Sequence, residues 1–177
     1  MSLEKATFAG GCFWCMQKPF ATLSGVKKTQ VGYMGGETVD PTYESVSSGK
    51  TGHAEVIEII YNPEETIYTD LLDVFWKNID PTQIDQQFYD RGSQYRTAIF
   101  YHNTDQQKLA QLSQKKLSET NIFSKPIQTQ ILQASSFYPA EVIHQDYYKN
   151  FPSHYKNYYQ NSGREAFFTK TWDKDPL

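Results

Sequence analysis

The stretch HAEVIEIIY, residues 53–61, decides the fold of this chain. It is dominated by β-branched and other apolar residues, which is typical of a strand packed into a core. A glycine-punctuated segment, residues 35–52, precedes this strand and indicates a loop. Residues 66–79 follow it and carry apolar side chains at spacings of three and four, the period of an amphipathic helix. The apolar positions of the strand are Ala54, Val56, Ile57, Ile59 and Ile60.

The remaining elements follow outward from this strand. The pattern predicts that a first strand ends over residues 7–9 and that a helix begins at Cys12, with Pro19 acceptable only near its first turns. The order is then βαββαβ with additions, the split βαβ arrangement of ferredoxin-like folds, so we expect an α+β protein with helices covering one face of a mixed sheet. The other predicted elements are a helix over 12–23, strands over 26–33, 95–102 and 127–132, and a helix over 104–119 capped by Thr104 or Asp105.

Length and composition predict one ordinary globular domain over residues 1–177. The chain has 177 residues, a hydrophobic content of 38% and a formal charge of -3. No basic segment followed by a long apolar run starts the sequence, so we expect no secretory signal, no membrane span and a cytoplasmic protein with reduced thiols. The mild acidity disfavours a nucleic-acid surface. Residues 144–159 mix Tyr with Lys, but aromatic packing at helical spacing is the simpler interpretation.

Both cysteines lie in GGCFWC, residues 10–15. Two thiols three positions apart can form a disulfide, and a sulfur at a helix N-terminus is favoured as thiolate. Buried, inert cysteines are the simplest alternative. A metal site needs four ligands, and the histidines do not cluster in the sequence. A redox or nucleophilic role for Cys12, with Phe13 and Trp14 beside it, is the leading interpretation. The histidines are His53, His102, His144 and His154.

Four other residues are candidates for the chemistry. Glu55 lies among apolar residues on the predicted strand, where alternation could point its carboxyl inward while Glu58 faces the other side. A buried carboxyl tends to stay protonated and could serve as a general acid. Tyr43 lies in DPTYESV, and Asp90 and Tyr95 lie in DRGSQYR. Each of the four has a purely structural alternative. Glu55 would be an exposed strand residue and Tyr43 a packed ring, while Asp90 would cap a turn and Tyr95 would lie in the sheet.

The chain resembles the A type of peptide methionine sulfoxide reductase. The resemblance spans nearly the whole chain and is far more specific than a lone CxxC. The segments that carry it, in the order of that family, are GGCFWC, GYMGG, PTYESV, SGKTGHAEVIEIIY, FWKNIDPTQ, DRGSQYRTAIFYH and FYPAEVIHQDYY.

The resemblance implies a role for each candidate. Cys12 attacks the sulfoxide sulfur and leaves as sulfenic acid, while Glu55 supplies the proton that lets the oxygen transfer. The phenols of Tyr43 and Tyr95 donate hydrogen bonds to that oxygen. The carboxylate of Asp90 helps to organise the site, and the rings of Phe13 and Trp14 form the apolar wall around the methyl group.

The chain departs from many relatives in the same motifs. Cys15 stands where many have Gly, and Gln17 where many have Glu. Their C-terminal resolving cysteines are missing, because residues 161–177 contain none. The hypothesis is that Cys15 attacks the Cys12 sulfenic acid to form a disulfide that thioredoxin or a similar dithiol reduces. Phe88 and Tyr89 replace Gly and Asn, which leaves the pocket rim and substrate preference open.

The resemblance therefore predicts reduction of methionine S-sulfoxide, free or in proteins. The S preference comes from the resemblance alone. We expect no metal, flavin or nicotinamide, since neither a dinucleotide glycine fingerprint nor a ligand cluster is present, and we expect a monomer. The alternatives are a thioredoxin-like disulfide oxidoreductase, which also uses a CxxC at a helix N-terminus, and a noncatalytic module that binds Met-containing segments.

Overall fold

The computed structural model describes residues 2–172. Its strands are β1 (Glu4–Gly10), β2 (Val26–Met34), β3 (Ala54–Tyr61), β4 (Gln86–Gln87), β5 (Asp90–Arg91), β6 (Thr97–Tyr101), β7 (Gln130–Gln133) and β8 (Tyr138–Pro139). Its α-helices are α1 (Phe13–Ala21), α2 (Tyr43–Ser47), α3 (Tyr68–Trp76), α4 (Thr104–Glu119), α5 (Tyr147–Asn150), α6 (Pro152–Asn161) and α7 (Arg164–Trp172). Two 3-10 helices complete the set, Ser93–Tyr95 and Val142–His144.

Six strands form one mixed sheet in the order β7-β6-β1-β3-β2-β8. The four central strands, β6, β1, β3 and β2, pair with one another in antiparallel fashion, with α1 connecting β1 to β2 and α3 connecting β3 towards β6. This is the split βαβ arrangement, so the predicted ferredoxin-like α+β class is confirmed. Strand β7 joins β6 in parallel and makes the sheet mixed, while β8 extends the opposite edge.

Helices α1, α3 and α4 pack against one face of the sheet and build the main core there. Side chains alternate along β1 and β3, so Phe8 and Ile57 face these helices while Ala9 and Val56 face away. A smaller cluster covers the second face and includes Phe137 from the segment before β8. The expectation that helices cover one face is confirmed.

Two predictions about helix starts need correction. The segment 35–52 is not loop throughout: Thr42 starts the short helix α2 with a capping box, in which its side chain accepts a hydrogen bond from the Ser45 N–H. Helix α4 is capped by Asn103, whose side chain accepts from the Gln106 N–H, and not by Thr104 or Asp105. In both cases a short hydrogen-bonding side chain satisfies an N–H that the helix itself leaves free.

Helix α1 begins at Phe13 with Cys12 as its N-cap and ends at Ala21, two residues before the predicted end. Pro19 lies in its second turn, where the missing N–H leaves the Cys15 carbonyl without its helical donor. Tyr95 ends a 3-10 helix and does not open strand β6, which starts two residues later. Strand β7 is followed by β8, so it is not the last strand.

The tyrosine-rich segment forms α5 and α6, as the packing interpretation predicts. Its rings cover the cysteine pair in one cluster with Cys12 and Cys15. Among residues 2–172, no helix is both long enough and apolar enough to span a membrane.

Candidate active site

Both thiols lie at the start of α1 and are reduced and buried. Cys12 is 6% exposed and Cys15 1% exposed, and the Cys15 N–H donates to the Cys12 carbonyl at 3.1 Å. Gly11 makes the turn from β1 with a φ of 82°, and a Cβ there would lie 2.7 Å from Nη2 of Arg164. Glycine is therefore required immediately before the first thiol.

The two thiols share their protons. Burial raises the pKa of Cys12 well above its ordinary value, and the hydrogen bond with Cys15 adds to this. Burial also opposes a thiolate at Cys15, but the hydrogen bond from Cys12 and the charge of Arg164 outweigh it and lower the pKa of Cys15. One proton is therefore lost readily and the second is held. The sequence predicts that the helix N-terminus favours a thiolate at Cys12; burial acts against that effect, and the first negative charge belongs to the pair as a whole.

Glu55 is a buried acid beside the same helix end. It lies on β3 opposite Tyr33, is 2% exposed, and accepts a hydrogen bond from the Phe13 N–H at 3.0 Å. Burial raises the pKa of its carboxyl well above the usual range, and the charge of Cys12 acts in the same direction. The prediction of an inward-pointing Glu55 is confirmed, and Glu58 on the opposite face pairs with Lys5 at 3.1 Å.

The phenol groups of Tyr43 and Tyr95 lie close enough to Glu55 for its charge to affect their pKa values. Burial, together with the charges of Glu55 and Cys12, raises the pKa of Tyr43 to about 12. Burial likewise raises the pKa of Tyr95, with contributions from Glu55 and then Asp90. Both hydroxyls therefore stay protonated at neutral pH and can donate hydrogen bonds next to the carboxyl group.

Asp90 connects the site to the C-terminal helices. It opens β5, is half-buried, and accepts a hydrogen bond from the Tyr158 hydroxyl of α6. Burial raises the pKa of its carboxyl, while the Tyr158 hydrogen bond and the charge of Arg164 oppose the rise. The carboxylate thus holds α6 over the thiols, a role that goes beyond capping a turn.

Phe13 and Trp14 form part of an aromatic wall. The Phe13 ring packs against Tyr43 and His144, with centroids 6.4 Å and 5.4 Å away. Trp14 stacks on Tyr147 at 3.9 Å, and its Nε1 donates to Nδ1 of His144 at 3.1 Å. Burial lowers the pKa of His144, which keeps the ring neutral and its Nδ1 free to accept.

Glu141, like His144, is a residue of the site that the sequence did not single out. Its two carboxylate oxygens accept from the Tyr33 hydroxyl at 3.1 Å and from the Tyr43 N–H at 3.0 Å. It therefore positions α2 against the sheet. Glu141 and His144 lie in FYPAEVIHQDYY, so the motif contained the signal, but no pattern within it assigned them a contact.

Phe88 and Tyr89 have different surroundings. Phe88 packs edge-on against Phe167 and Phe168 of α7, whereas Tyr89 is 76% exposed. Only Tyr89 borders the cleft of about 560 Å³ next to Asp90. The bulk at position 88 therefore packs against the C-terminal helix, whereas the side chain at position 89 lines this cleft.

Within residues 2–172, no three His, Cys, Asp or Glu side chains group as metal ligands. Of the C-terminal segment 161–177, residues 173–177 lie outside the described part of the chain.

A reduced CxxC pair at a helix N-terminus, beside a protonated carboxyl and two phenols, defines a thiol-dependent reductase. The family model for peptide methionine sulfoxide reductase matches residues 4–176. The MsrA of Bacillus licheniformis is 54% identical over 171 residues, which cover 97% of this chain and 94% of that protein. The MsrA of Bacillus subtilis is 52% identical over 169 residues, 96% of each chain.

Solved structures agree. Reduced Mxr1 from Saccharomyces cerevisiae superposes with a TM-score of 0.80 at 30% identity, covering 85% of this chain and 87% of that one. Methionine sulfoxide reductase A of Corynebacterium diphtheriae gives 0.76 at 32% identity, covering 85% and 76%. The chain belongs to the peptide methionine sulfoxide reductase family.

Proposed function

We propose that this chain reduces methionine S-sulfoxide, free or within proteins, to methionine, with Cys12 as nucleophile and Glu55 as proton donor. The observation that carries the proposal is the buried Glu55 carboxyl, held at the first N–H of the helix that Cys12 caps. An acid that stays protonated beside a nucleophilic sulfur suits a substrate whose oxygen must accept a proton.

The first step moves the oxygen from one sulfur to another. The Cys12 sulfur attacks the sulfoxide sulfur as a thiolate while Glu55 protonates the sulfoxide oxygen. The oxygen then transfers to Cys12, so the sulfoxide is reduced to a thioether and the thiol is oxidised to sulfenic acid.

The surrounding groups serve that step. Tyr43 and Tyr95 donate hydrogen bonds to the sulfoxide oxygen, where negative charge develops. Phe13 and Trp14 receive the methyl group in the aromatic wall, and Asp90 holds the covering helix through Tyr158. The family resemblance implies these roles, and the placement of the residues around Glu55 and Cys12 supports them.

The second step uses the other thiol. The Cys15 sulfur attacks the sulfenic sulfur of Cys12, a disulfide forms and water leaves. Its burial in one cluster with Cys12 supports this role. We propose thioredoxin as the dithiol that reduces the disulfide. A structure of Saccharomyces cerevisiae Mxr1 in complex with Trx2 shares this fold at a TM-score of 0.58 and 22% identity.

We also propose that residues 1–177 form one catalytic domain that acts as a monomer in the cytoplasm. One sheet carries both hydrophobic clusters that pack on its two faces, which supports a single folding unit. Light scattering after gel filtration should give a mass near 20.5 kDa; a mass of twice that value contradicts the monomer.

The decisive experiment is turnover of racemic peptidyl methionine sulfoxide with dithiothreitol, followed by separation of the remaining diastereomers on a chiral column. We expect loss of the S form alone, and no loss with a Cys12→Ser variant. Persistence of both forms would contradict the reductase proposal and would favour a thioredoxin-like disulfide oxidoreductase instead. Insulin-disulfide reduction, which a thioredoxin-like oxidoreductase catalyses, is expected to be absent.

A further inference from the structure

Arg164, the first residue of α7, is the largest fully buried side chain of the described chain, with 1% exposed. Its Nη1 donates to the Asn78 carbonyl at 2.9 Å and its Nη2 to the Gly10 carbonyl at 2.8 Å. Its Nε has no partner among residues 2–172. Burying a guanidinium is costly unless its charge is compensated, so the surroundings of Arg164 must supply that compensation.

The direct contacts of Arg164 compensate the charge only in part. The Phe88 ring lies 4.9 Å from the guanidinium carbon, a cation–π contact, and the two carbonyls are neutral acceptors. Within the described residues, no carboxylate lies within ion-pair distance of it. The positive charge of Arg164 is therefore not neutralised by a direct partner and can stabilise a negative charge nearby.

The guanidinium touches the chain on both sides of the cysteine pair. Before the pair, it bonds Gly10 and lies 2.7 Å from the position that a Gly11 Cβ would occupy. After the pair, Nη1 lies 3.9 Å from the sulfur of Met16. Burial is the largest influence on the pKa of either thiol and raises it, and Arg164 acts in the opposite direction on both.

We propose that Arg164 is a positioning residue whose buried positive charge stabilises the single negative charge carried by the Cys12–Cys15 pair. This inference rests on the proposed function, because the pair is the group that reduces the sulfoxide. Arg164 is the positive counterpart of a set of acids and phenols that, when ionised, interact unfavourably with a negative charge on the cysteine pair. These are Glu55 of β3, Asp90 of β5, Tyr43 of α2, Tyr95 of the 3-10 helix, and Tyr155, Tyr158 and Tyr159 of α6.

The test is a pH titration of thiolate by its ultraviolet absorbance in the reduced full-length chain. The chain has only two cysteines, so the signal reports the pair once a Cys12→Ser, Cys15→Ser double variant is subtracted to remove tyrosine ionisation. We expect Arg164→Gln to move the first ionisation upward by at least about one pH unit, which is about tenfold less thiolate at a pH below the midpoint. Arg164→Lys should restore most of the shift.

A matched control removes an exposed charge from the same helix: Lys170→Gln should leave the titration unchanged. A wild-type titration in folded Arg164→Gln would overturn the proposal, even if its unfolding temperature fell, because that result describes a purely structural role. No sulfoxide enters the measurement, so a chain that fails to reduce sulfoxide still gives a valid result.

A second pair of variants decides the matter if Arg164→Gln does not fold. Phe88→Ala keeps the guanidinium but opens it to water, which weakens its field, so we expect a smaller shift in the same direction. Phe123→Ala removes a ring that stacks on Phe167 of the same helix without covering Arg164, and should cause none. Equal titrations for these two variants would overturn the proposal.

Discussion

Replacing Glu55 by Gln changes both stability and catalysis in amounts that follow from its burial. The folded carboxyl has a pKa well above its ordinary value of 4.5, mainly because it is buried. Between these two pKa values the folded chain holds a proton that the unfolded chain has lost. Stability from this group is complete below the ordinary pKa and falls by about 1.4 kcal/mol per pH unit as the pH rises towards the folded pKa.

The Glu55→Gln variant carries no such proton and keeps an oxygen that can accept from the Phe13 N–H. Its free energy of unfolding should therefore rise relative to wild type by about 1.4 kcal/mol for each pH unit between the ordinary pKa of 4.5 and the raised pKa of the folded carboxyl. Urea denaturation of both reduced proteins at several pH values measures this difference. Parallel stability curves would refute a raised pKa at Glu55.

The same variant should lose turnover. Removing a general acid costs on the order of 10²-fold to 10⁴-fold in rate, and we expect the loss in kcat with little change in KM. Glu58→Gln, on the opposite face of β3, should retain the wild-type kcat. In wild type, turnover should fall as the pH rises through the raised pKa of Glu55 and its carboxyl loses the proton. An unchanged kcat in Glu55→Gln would refute its role as proton donor.

Three further substitutions test separate parts of the site. Cys15→Ser should yield a single equivalent of methionine per chain and then stop with thioredoxin as reductant; continuous turnover in a rapid-quench time course would disprove its resolving role. Trp14→Phe removes the donor to a His144 that is 7% exposed, and should cost about 1 to 3 kcal/mol of unfolding free energy in urea. No measurable loss would mean that His144 finds another donor. Gly11→Ala places a Cβ at a φ of 82° and 2.7 Å from Arg164, so we expect a loss of at least about 1 kcal/mol and a lower thermal midpoint. An unchanged midpoint would show that the turn relaxes without cost.

Local sequence patterns predicted much of this structure. Strand β3 and helix α3 follow from periodicity, and the order of elements led to the observed antiparallel core. Strand alternation places Glu55 and Glu58 on opposite faces, because adjacent side chains along a strand face opposite sides, and it allows an inward Glu55 without deciding between the two faces. The motif GGCFWC likewise placed both thiols at the start of a helix. The roles of the candidate residues came from the family resemblance and stay predictions.

The two errors at helix starts have a common cause, which is the choice between adjacent hydrogen-bonding residues. Asn103 caps α4 although Thr104 and Asp105 are also good caps, and Thr42 starts a short helix inside a glycine-rich segment. Such choices depend on where the neighbouring elements pull the chain. Propensities of single residues differ by too little to decide them.

The sequence by itself determined the class of fold and the position of both cysteines near the start of a helix, because these depend on short-range spacing. It left open whether the Glu55 carboxyl is buried. Only the tertiary structure decided which charges surround the thiols. Arg164 is 154 residues from Gly10 and Trp14 is 130 residues from His144, yet each pair is hydrogen-bonded. The state of the cysteines follows from burial and from that distant cation, and neither is visible until the chain has folded, since electrostatic effects depend on distance in space and on exclusion of water.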